Sequence, residues 1–200
     1  MSAPPAGRSI VVATRNQHKL AELEEILDGY ELHALPDDVV LPPEVGDTFA
    51  ANAREKALAA HRASGSAVLA DDSGIEARAL GGLPGVRSAR FAGPAASDEQ
   101  NLARLLQELD GSEDRSVAYV CVLVHVSADG EETIVEGRCE GTLAKRPRGQ
   151  GGFGYDPAFI PADVGDGRTM AEIDPAHKHA ISHRGRAARA MAEALSQGGS

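Results

Sequence analysis

The chain has 200 residues, of which 42% are hydrophobic and 25% charged, and its formal net charge is −10 at pH 7. This composition is typical of one globular domain or two closely joined lobes, and no apolar run approaches the ~20 residues of a membrane span. The acidic balance argues against a nucleic acid polymer as a partner, because sequence-independent affinity for a polyanion comes from basic surface. A small phosphorylated ligand is still allowed, since it needs only a local cationic pocket.

The N-terminal segment, MSAPPAGR, has no basic stretch followed by an apolar core and therefore predicts no signal peptide. We expect residues 1–8 to be a flexible N-terminus and residues 197–200 a tail, on either side of a single two-lobed domain at 9–196. Cys121 and Cys139 lie in strand-like sequence. We interpret them as small buried thiols of a cytoplasmic protein, not as a disulfide or a metal site.

The first predicted element is a buried strand, SIVVAT at 9–14, which is rich in β-branched residues. The loop TRNQHK leads from it into a helix, LAELEEIL at 20–27, whose apolar residues recur at helical spacing. A strand, a loop and a helix in this order place backbone N–H groups and the positive end of the helix dipole beside an anion. The loop lacks the glycines of a Walker A motif.

A second helix is predicted from about Thr48 to His61, with Asp47 as its cap. One side of this helix carries Phe49, Ala53, Ala57 and Ala60. A strand then ends in VLADDSG at 68–74, and a region broken by Gly and Pro follows it.

The second half of the chain begins with SerAspGluGln at 97–100, which matches the capping-box pattern and predicts a helix through Leu109. SVAYVCVLVHV is the clearest strand, and with TIVEGRCEGTL it predicts an antiparallel hairpin. A Gly-rich loop and a C-terminal helix, ISHRGRAARAMAEAL capped by Ser182, complete the chain. Early alternation of helices with strands and a late hairpin predict an α/β domain with a mixed sheet.

The paired carboxylates Asp71 and Asp72 end the third predicted strand. Neighbouring strand residues point to opposite faces, so only one of the two is expected to enter a given cleft. A solvated turn is the simplest interpretation of such a pair. Ser73 and Gly74 allow close approach of the backbone to a ligand, however, and Glu44 lies in another loop from which a second carboxylate could converge. Because Mg²⁺ uses one or two carboxylates together with substrate phosphates, we predict a magnesium site here.

The loop TRNQHK is the second candidate. Thr14, Asn16 and Lys19 would supply hydroxyl, amide and ammonium donors to a phosphate chain, with Lys56 as a further cation. The alternative is an ordinary strand-to-helix turn in which Thr14 and Asn16 bond locally.

Two further segments suggest contacts with a base. In GGFGYDP at 151–157, glycines flank Phe153, which either packs in the core or lies exposed against the flat face of a base. In KHAISHRG at 178–185, Lys178 could reach a phosphate, while His183 and Arg184 offer donors to a ring carbonyl; an ordinary surface location is the alternative. The histidines lack zinc spacing joined to cysteines, which argues against a transition-metal site.

Together, five segments that span about residues 9–195 resemble the inosine triphosphatase family of non-canonical purine nucleoside triphosphate pyrophosphatases. They are VVATRNQHKLAELEEIL, EVGDTFAANAREKA, LADDSGIEARALGGLPGVRSARFAG, GGFGYDPAFIP and TMAEIDPAHKHAISHRGRA. The ADDSG and ISHRG stretches are the most specific. The resemblance implies a homodimer whose subunits have an elongated mixed β-sheet flanked by helices, with two lobes around a central cleft.

The resemblance also assigns roles to residues. Glu44 and Asp72 match the metal-associated carboxylates, with Asp72 also as proton acceptor. The implied substrate contacts are Thr14, Arg15, Asn16, Gln17, His18, Lys19, Lys56, Ser73, Phe153, Gly154, Tyr155, Asp156, Lys178, His183 and Arg184. Two departures stand out: Ala51 occupies a position where the family often has Glu, and His18 replaces a small residue of the first loop.

The implied reaction is Mg²⁺-dependent hydrolysis of ITP, dITP or XTP to the monophosphate and pyrophosphate. Asp72 either accepts the proton of the attacking water or mainly holds the ion, and Lys19, Lys56 and Lys178 neutralise the leaving pyrophosphate. A house-cleaning pyrophosphatase for other modified nucleotides is the nearest alternative. A non-catalytic nucleotide-binding module is a second one, and it predicts binding without release of pyrophosphate.

Overall fold

The computed structural model describes residues 9–198, so the expected flexible segment at 1–8 and the last two residues of the expected tail lie outside the described residues. The strands are β1 Ser9–Val12, β2 Glu31–Ala34, β3 Val68–Ala77, β4 Ser116–Val126, β5 Glu132–Leu143 and β6 Phe159–Pro161. The α-helices are α1 Gln17–Ile26, α2 Phe49–Ser64, α3 Asp98–Glu108, α4 Pro175–Ile181 and α5 His183–Gly198. Short 3₁₀ helices lie at Arg78–Leu80, Gly85–Arg90 and Met170–Glu172.

The strands form one six-stranded sheet in the order β2-β1-β3-β4-β5-β6. β1 runs parallel to both β2 and β3, whereas β5 and β6 are antiparallel. β4 and β5 are neighbours joined by a turn at 127–131, in which the Ser127 N–H donates to the Glu131 carbonyl at 2.9 Å. So short a connection can join only antiparallel strands, so the expected hairpin is present. The sheet is therefore mixed, and the α/β fold class is confirmed.

The chain divides into two compact units. Within the described residues, unit 1 comprises 9–72, 121–137 and 184–198, and unit 2 comprises 73–120 and 138–183. The core of unit 1 packs strand residues against helices α1 and α5; its fully buried members include Val12, Leu23, Leu69, Leu123 and Met191. The core of unit 2 packs α3 against strand and loop residues; its fully buried members include Ile75, Leu105, Leu109 and Phe159.

The helix boundaries follow their capping residues. α2 begins after Thr48, whose hydroxyl accepts a hydrogen bond from the Ala51 N–H at 3.1 Å, so the expectation that Asp47 is the cap was wrong by one residue. The apolar side predicted for this helix is buried. At α3 the predicted capping box is present, with reciprocal hydrogen bonds between Ser97 and Gln100.

The expected C-terminal helix is present as α5, which begins at His183 directly after Ser182. A short helix that the sequence did not predict, α4, precedes it, and the extended backbone of Ser182 (φ −66°, ψ 156°) separates the two helices. Cys121 and Cys139 are buried and are not disulfide-bonded to each other. In the part of the chain that the structure describes, no helix is both long and apolar enough to cross a membrane.

Candidate active site

The two carboxylates at the end of the VLADD run are both buried but have different partners. Asp71 is 1% exposed and Asp72 is 4% exposed. The Asp71 carboxylate lies 2.9 Å from Lys19 Nζ, whereas the Asp72 carboxylate accepts a hydrogen bond from Asn52 Nδ2 at 2.9 Å. This division follows from the alternation of side chains along β3. The two carboxylates therefore have different hydrogen-bond and ion-pair partners within unit 1.

Asp71 is held by cations from the first and last helices. Asn16 caps α1 by accepting hydrogen bonds from two backbone N–H groups, which places Lys19 in the first helical turn. Arg184, in the first turn of α5, lies 3.5 Å from the Asp71 carboxylate and also donates to Glu22. Burial opposes ionisation of Asp71, but the combined charges of Lys19, Arg184 and Lys56 outweigh it and hold its pKa below the ordinary range. Asp71 is therefore a fixed anion inside unit 1.

Asp72 belongs to a second network, which is built on α2. Asn52 Oδ1 accepts a hydrogen bond from the Gly46 N–H at 2.8 Å, and this bond turns the Asn52 amide N–H towards Asp72. One helical turn later, Lys56 Nζ donates to Glu44 Oε1 at 2.6 Å and to the Asp71 carbonyl oxygen at 2.5 Å, and it lies 4.0 Å from the Asp72 carboxylate. Glu44 and Asp72 thus converge on the same cation.

This geometry fits the magnesium ion that the family resemblance implies. Hard carboxylate oxygens from two separate segments, Glu44 and Asp72, approach a single positive charge, and Mg²⁺ is bound by one or two carboxylates together with substrate phosphates. In the described residues, no group of three or more His, Cys, Asp or Glu side chains is placed to hold a metal ion. Glu44 and Asp72 are therefore the residues that would hold the ion, and phosphate or water oxygens would complete its shell.

The charge balance around Asp72 differs from that around Asp71. Burial raises the pKa of Asp72, Lys56 opposes this rise, Glu44 adds to it, and the result is a pKa of about 6. The pKa of Lys56 is raised, because the carboxylates of Asp71, Glu44 and Asp72 outweigh the effect of its burial. In the metal-free protein, this cluster therefore carries a carboxylate that ionises close to neutral pH.

A prediction for stability follows from the raised pKa of Asp72. The folded protein holds the Asp72 proton more tightly than the unfolded chain, so ionisation between about pH 4 and pH 6 lowers stability as the pH rises. Asp72→Asn removes this cost. We expect the metal-free variant to be more stable than wild type at pH 8 by up to about 3 kcal/mol, with the difference vanishing near pH 4. Urea unfolding of wild type and Asp72→Asn in EDTA at several pH values measures the difference in their free energies of unfolding. A difference that does not change with pH would contradict the prediction.

The loop TRNQHK is largely exposed at residues 15–18. Thr14 Oγ1 accepts a hydrogen bond from the Asn16 N–H at 3.2 Å, which is the local bonding considered from the sequence. The Arg15 guanidinium donates to the carbonyl oxygens of Leu35, Pro36 and Val39 at 2.8 Å each. The loop is thus tied to the connection that follows β2, and His18 remains exposed at the start of α1.

The Gly-rich loop of unit 2 is organised by the buried carboxylate of Asp156. This carboxylate accepts hydrogen bonds from the Phe153 N–H at 3.0 Å, from Tyr119 OH at 3.0 Å and from Lys178 Nζ at 2.8 Å. Gly152 has φ +69°, and a Cβ added there would overlap the Asp156 carboxylate, so glycine is required at this position. Lys178 Nζ also lies 5.0 Å from the centre of the Phe153 ring, within the range of a cation–π contact.

The aromatic surroundings of this loop include His183. The His183 ring stacks on Tyr119, with centroids 4.5 Å apart and an interplanar angle of 12°. Tyr155 OH donates to the Ser88 carbonyl oxygen at 2.7 Å, which ties the loop to the 3₁₀ helix at Gly85–Arg90. In unit 2, the side chain of Tyr119 therefore contacts both the Gly-rich loop, through Asp156, and the imidazole ring of His183.

The predicted site residues fall into two groups. Unit 1 contains Thr14, Arg15, Asn16, Gln17, His18, Lys19, Glu44, Lys56, Asp72 and Arg184, and unit 2 contains Ser73, Phe153, Gly154, Tyr155, Asp156, Lys178 and His183. The structure brings Glu44, Lys56 and Asp72 together in the first group, and Phe153, Asp156 and Lys178 in the second. Their roles toward a substrate stay predictions.

Sequence reasoning missed the partners of these residues: Asn52, Glu22 and Tyr119. Asn52 had a usable signal, because it lies four residues before Lys56 and therefore on the same face of α2. Glu22 and Tyr119 had none, since each meets its partner only through the tertiary fold.

Comparison with known proteins gives the family. The model of the Ham1 family matches residues 10–194. The chain belongs to the Ham1 family. Among its relatives, a dITP/XTP pyrophosphatase of Mycobacterium tuberculosis (strain H37Rv) is 49% identical over 195 residues, which cover 93% of this chain and 94% of that protein. A dITP/XTP pyrophosphatase of Exiguobacterium sp. is 46% identical, covering 91% of this chain and 94% of that protein. The family resemblance stated from the sequence is thereby confirmed.

Solved structures of similar proteins have the same fold. A HAM1 protein from Coxiella burnetii has a TM-score of 0.85 at 39% identity, and the match covers 94% of this chain and 98% of that one. A nucleoside-triphosphatase, dITP/XTP pyrophosphatase, from Mycobacterium abscessus has a TM-score of 0.75 at 46% identity, with coverage of 92% and 98%. Membership of the Ham1 family and the α/β fold are thus supported independently.

Proposed function

We propose that this chain hydrolyses the non-canonical purine nucleotides ITP, dITP and XTP to the monophosphate and pyrophosphate, which removes them from the nucleotide pool. The observation that carries the proposal is the convergence of Glu44 and Asp72 on one cation in unit 1. The activity named for relatives that are 46–49% identical over nearly the whole chain supports the same conclusion.

The reaction breaks one phosphoanhydride bond. Water attacks the α-phosphorus, the bond to the oxygen that bridges the α- and β-phosphates breaks, and pyrophosphate leaves with that oxygen. We propose that Asp72 either accepts the proton of the water or holds the metal ion; a pKa of about 6 in the metal-free protein suits a base that works near neutral pH. When bound, Mg²⁺ would supply positive charge to the phosphates.

The lysines of unit 1 are proposed to stabilise the triphosphate. Lys19 and Lys56 are cations held in place by Asp71 and Glu44, so their charges need little reorganisation as negative charge develops. Lys178 had been expected at the pyrophosphate. Because its ammonium contacts Asp156 and lies over Phe153, we now propose that it acts beside the base.

Selectivity is proposed to come from the purine ring. Hypoxanthine and xanthine present a 6-oxo acceptor to donors near His183, whereas the 6-amino group of adenine would set donor against donor and leave buried groups unpaired. Such a mismatch can discriminate by ~10⁴ or more. The Arg184 guanidinium is engaged by Asp71 and Glu22, so its expected contact with the purine is proposed for its backbone N–H.

A nucleotide panel tests the proposed function. Pyrophosphate release is measured for ITP, dITP, XTP, GTP and ATP in Mg²⁺, with modified pyrimidine triphosphates included. We expect release from the first three to exceed that from ATP by at least ~10³-fold, and EDTA in excess of Mg²⁺ to abolish it. Binding of ITP without release of pyrophosphate would overturn the enzyme assignment. A preference for modified pyrimidines would instead favour the broader house-cleaning alternative.

We further propose that residues 9–196 act as one two-lobed domain and that the protein is a cytoplasmic homodimer, as the family resemblance implies. Light scattering of the purified chain measures the mass of the assembly, and a monomer at the concentrations of the activity assay would contradict the dimer.

A further inference from the structure

The base-side loop, residues 151–157, contains glycines whose conformational freedom makes its shape costly to fix. Gly152 (φ +69°) and Gly154 (φ +63°) both adopt left-handed backbone angles, and they flank Phe153 on either side. Glycine loses more conformational freedom on folding than any other residue, so two glycines around one aromatic ring make its position costly to fix. The orientation of Phe153 therefore depends on the hydrogen bonds that hold the loop, both from within it and from outside.

One such contact comes from Asp98, the first residue of α3. Asp98 Oδ2 accepts a hydrogen bond from the Gly154 N–H at 2.8 Å. The capping box of Ser97 and Gln100 fixes the start of this helix, so the Asp98 carboxylate leaves from a well-defined backbone. The bond is charge-assisted, and the positive end of the α3 dipole stabilises the same carboxylate.

A second observation places the charge of Asp98 close to this loop. Burial is the main reason that the pKa of Tyr155 is raised, and the negative charge of Asp98 adds to the rise. Tyr155 OH is itself bonded to the Ser88 carbonyl oxygen. Asp98 therefore faces the half of the loop that follows Phe153, whereas Asp156 holds the Phe153 N–H from within the loop.

We propose that Asp98 is a positioning residue for purine selectivity: through Gly154 it fixes the loop that presents Phe153 to the base. The inference rests on the proposed function, since it assigns Asp98 to the base-side part of that activity. Asp98 lies in unit 2, whereas Glu44 and Asp72, the carboxylates proposed to hold the metal ion, lie in unit 1. Asp156 of the same loop bonds Tyr119, on which the His183 ring stacks, so removal of Asp98 should affect how nucleotides are distinguished more than how fast the bond is broken.

Glu99 provides a matched control. It is the next residue of the same first turn, it is exposed, and its carboxylate interacts with Ser97. Glu99→Ala removes the same charge from the same helix terminus but leaves the bond to Gly154 intact. Asp98→Asn is the conservative variant, because its amide oxygen can still accept from the Gly154 N–H.

The experiment compares kcat/KM for ITP with kcat/KM for ATP in wild type, Asp98→Ala, Asp98→Asn and Glu99→Ala. A smaller folded fraction would scale both values equally, so the ratio reports on selectivity alone. We expect the ITP-to-ATP ratio to fall about tenfold in Asp98→Ala, to change less than about threefold in Asp98→Asn, and to be unchanged in Glu99→Ala. Hydrogen exchange of the peptide that contains Gly154 should be faster in Asp98→Ala only.

An unchanged ratio in Asp98→Ala, from a wild-type enzyme that does hydrolyse ITP, would overturn the role of Asp98 and leave the proposed function intact. Equal losses in Asp98→Ala and Glu99→Ala would also overturn it, since a general helix-terminus effect would then suffice. If the wild-type chain releases no pyrophosphate from ITP, the proposed function fails and the selectivity role fails with it.

Discussion

Replacing Asp72 by Asn is expected to lower the release of pyrophosphate from ITP by at least ~10³-fold. Both proposed roles of Asp72, proton acceptor and metal ligand, require a carboxylate, and an amide oxygen supplies neither the basicity nor the charge. The fold should survive, because the new side-chain oxygen can still accept the hydrogen bond from Asn52 Nδ2. The loss should therefore appear in kcat, with the melting temperature unchanged or raised.

Asp129→Asn is the matched control for this experiment. Asp129 lies exposed in the turn between β4 and β5, in the same unit as Asp72, and we assign it no part in the site. Its substitution makes the same change of charge and should leave kcat/KM for ITP unaffected. If Asp72→Asn kept activity within about tenfold of wild type, both proposed roles of Asp72 would be ruled out.

The second large effect is expected at Asp71, in the stability of the fold. Asp71→Asn should lower the free energy of unfolding by about 3–5 kcal/mol, because it leaves the half-buried Lys19 and the buried Arg184 with less compensating charge. The carboxylate is 1% exposed and its partners lie at 2.9 and 3.5 Å, so solvent cannot replace it. Urea denaturation at neutral pH measures the loss.

The exposed ion pair of Arg54 and Glu132 serves as the comparison. It is bidentate, with distances of 2.6 and 2.7 Å, but the Arg54 side chain is 46% exposed. Glu132→Gln should therefore cost no more than about 1 kcal/mol. If Asp71→Asn and Glu132→Gln destabilised the protein equally, the burial of Asp71 with Lys19 and Arg184 would not be the source of the stability that we assign to it.

The strongest elements of the fold could be predicted because their signals are local. β4 is an unbroken apolar strand that is buried almost throughout, and α3 carries its capping box in four consecutive residues. β2 was missed for the opposite reason. It is a four-residue strand at one end of the sheet order, mostly exposed, and its ELHA sequence has little alternation. Its place depends on pairing with β1, which sequence spacing does not reveal.

For the candidate site, the sequence indicated which groups carry charge but not which charges neutralise each other. Arg184 was expected to offer donors to the purine from its side chain or its backbone, and its guanidinium donates to Glu22, 162 positions earlier in the chain. Lys178 was expected to reach a phosphate, and its ammonium contacts Asp156 in unit 2. Pairings of this kind are decided by tertiary packing. Helix caps are closer to what the local sequence determines, but even there the predicted cap of α2, Asp47, is one residue before the observed cap, Thr48.

The long separation between Arg184 and its partners also matters for synthesis on the ribosome. All of unit 2 has been translated when His183 is added, but unit 1 still lacks α5. A nascent chain at this stage holds Glu22 and Asp71 without the guanidinium that later lies between them. Unit 1 should thus be the last part of the chain to become resistant to protease. A truncated product that ends before residue 184 would contain every segment of unit 2 but an incomplete unit 1, and we expect cellular proteases to degrade it.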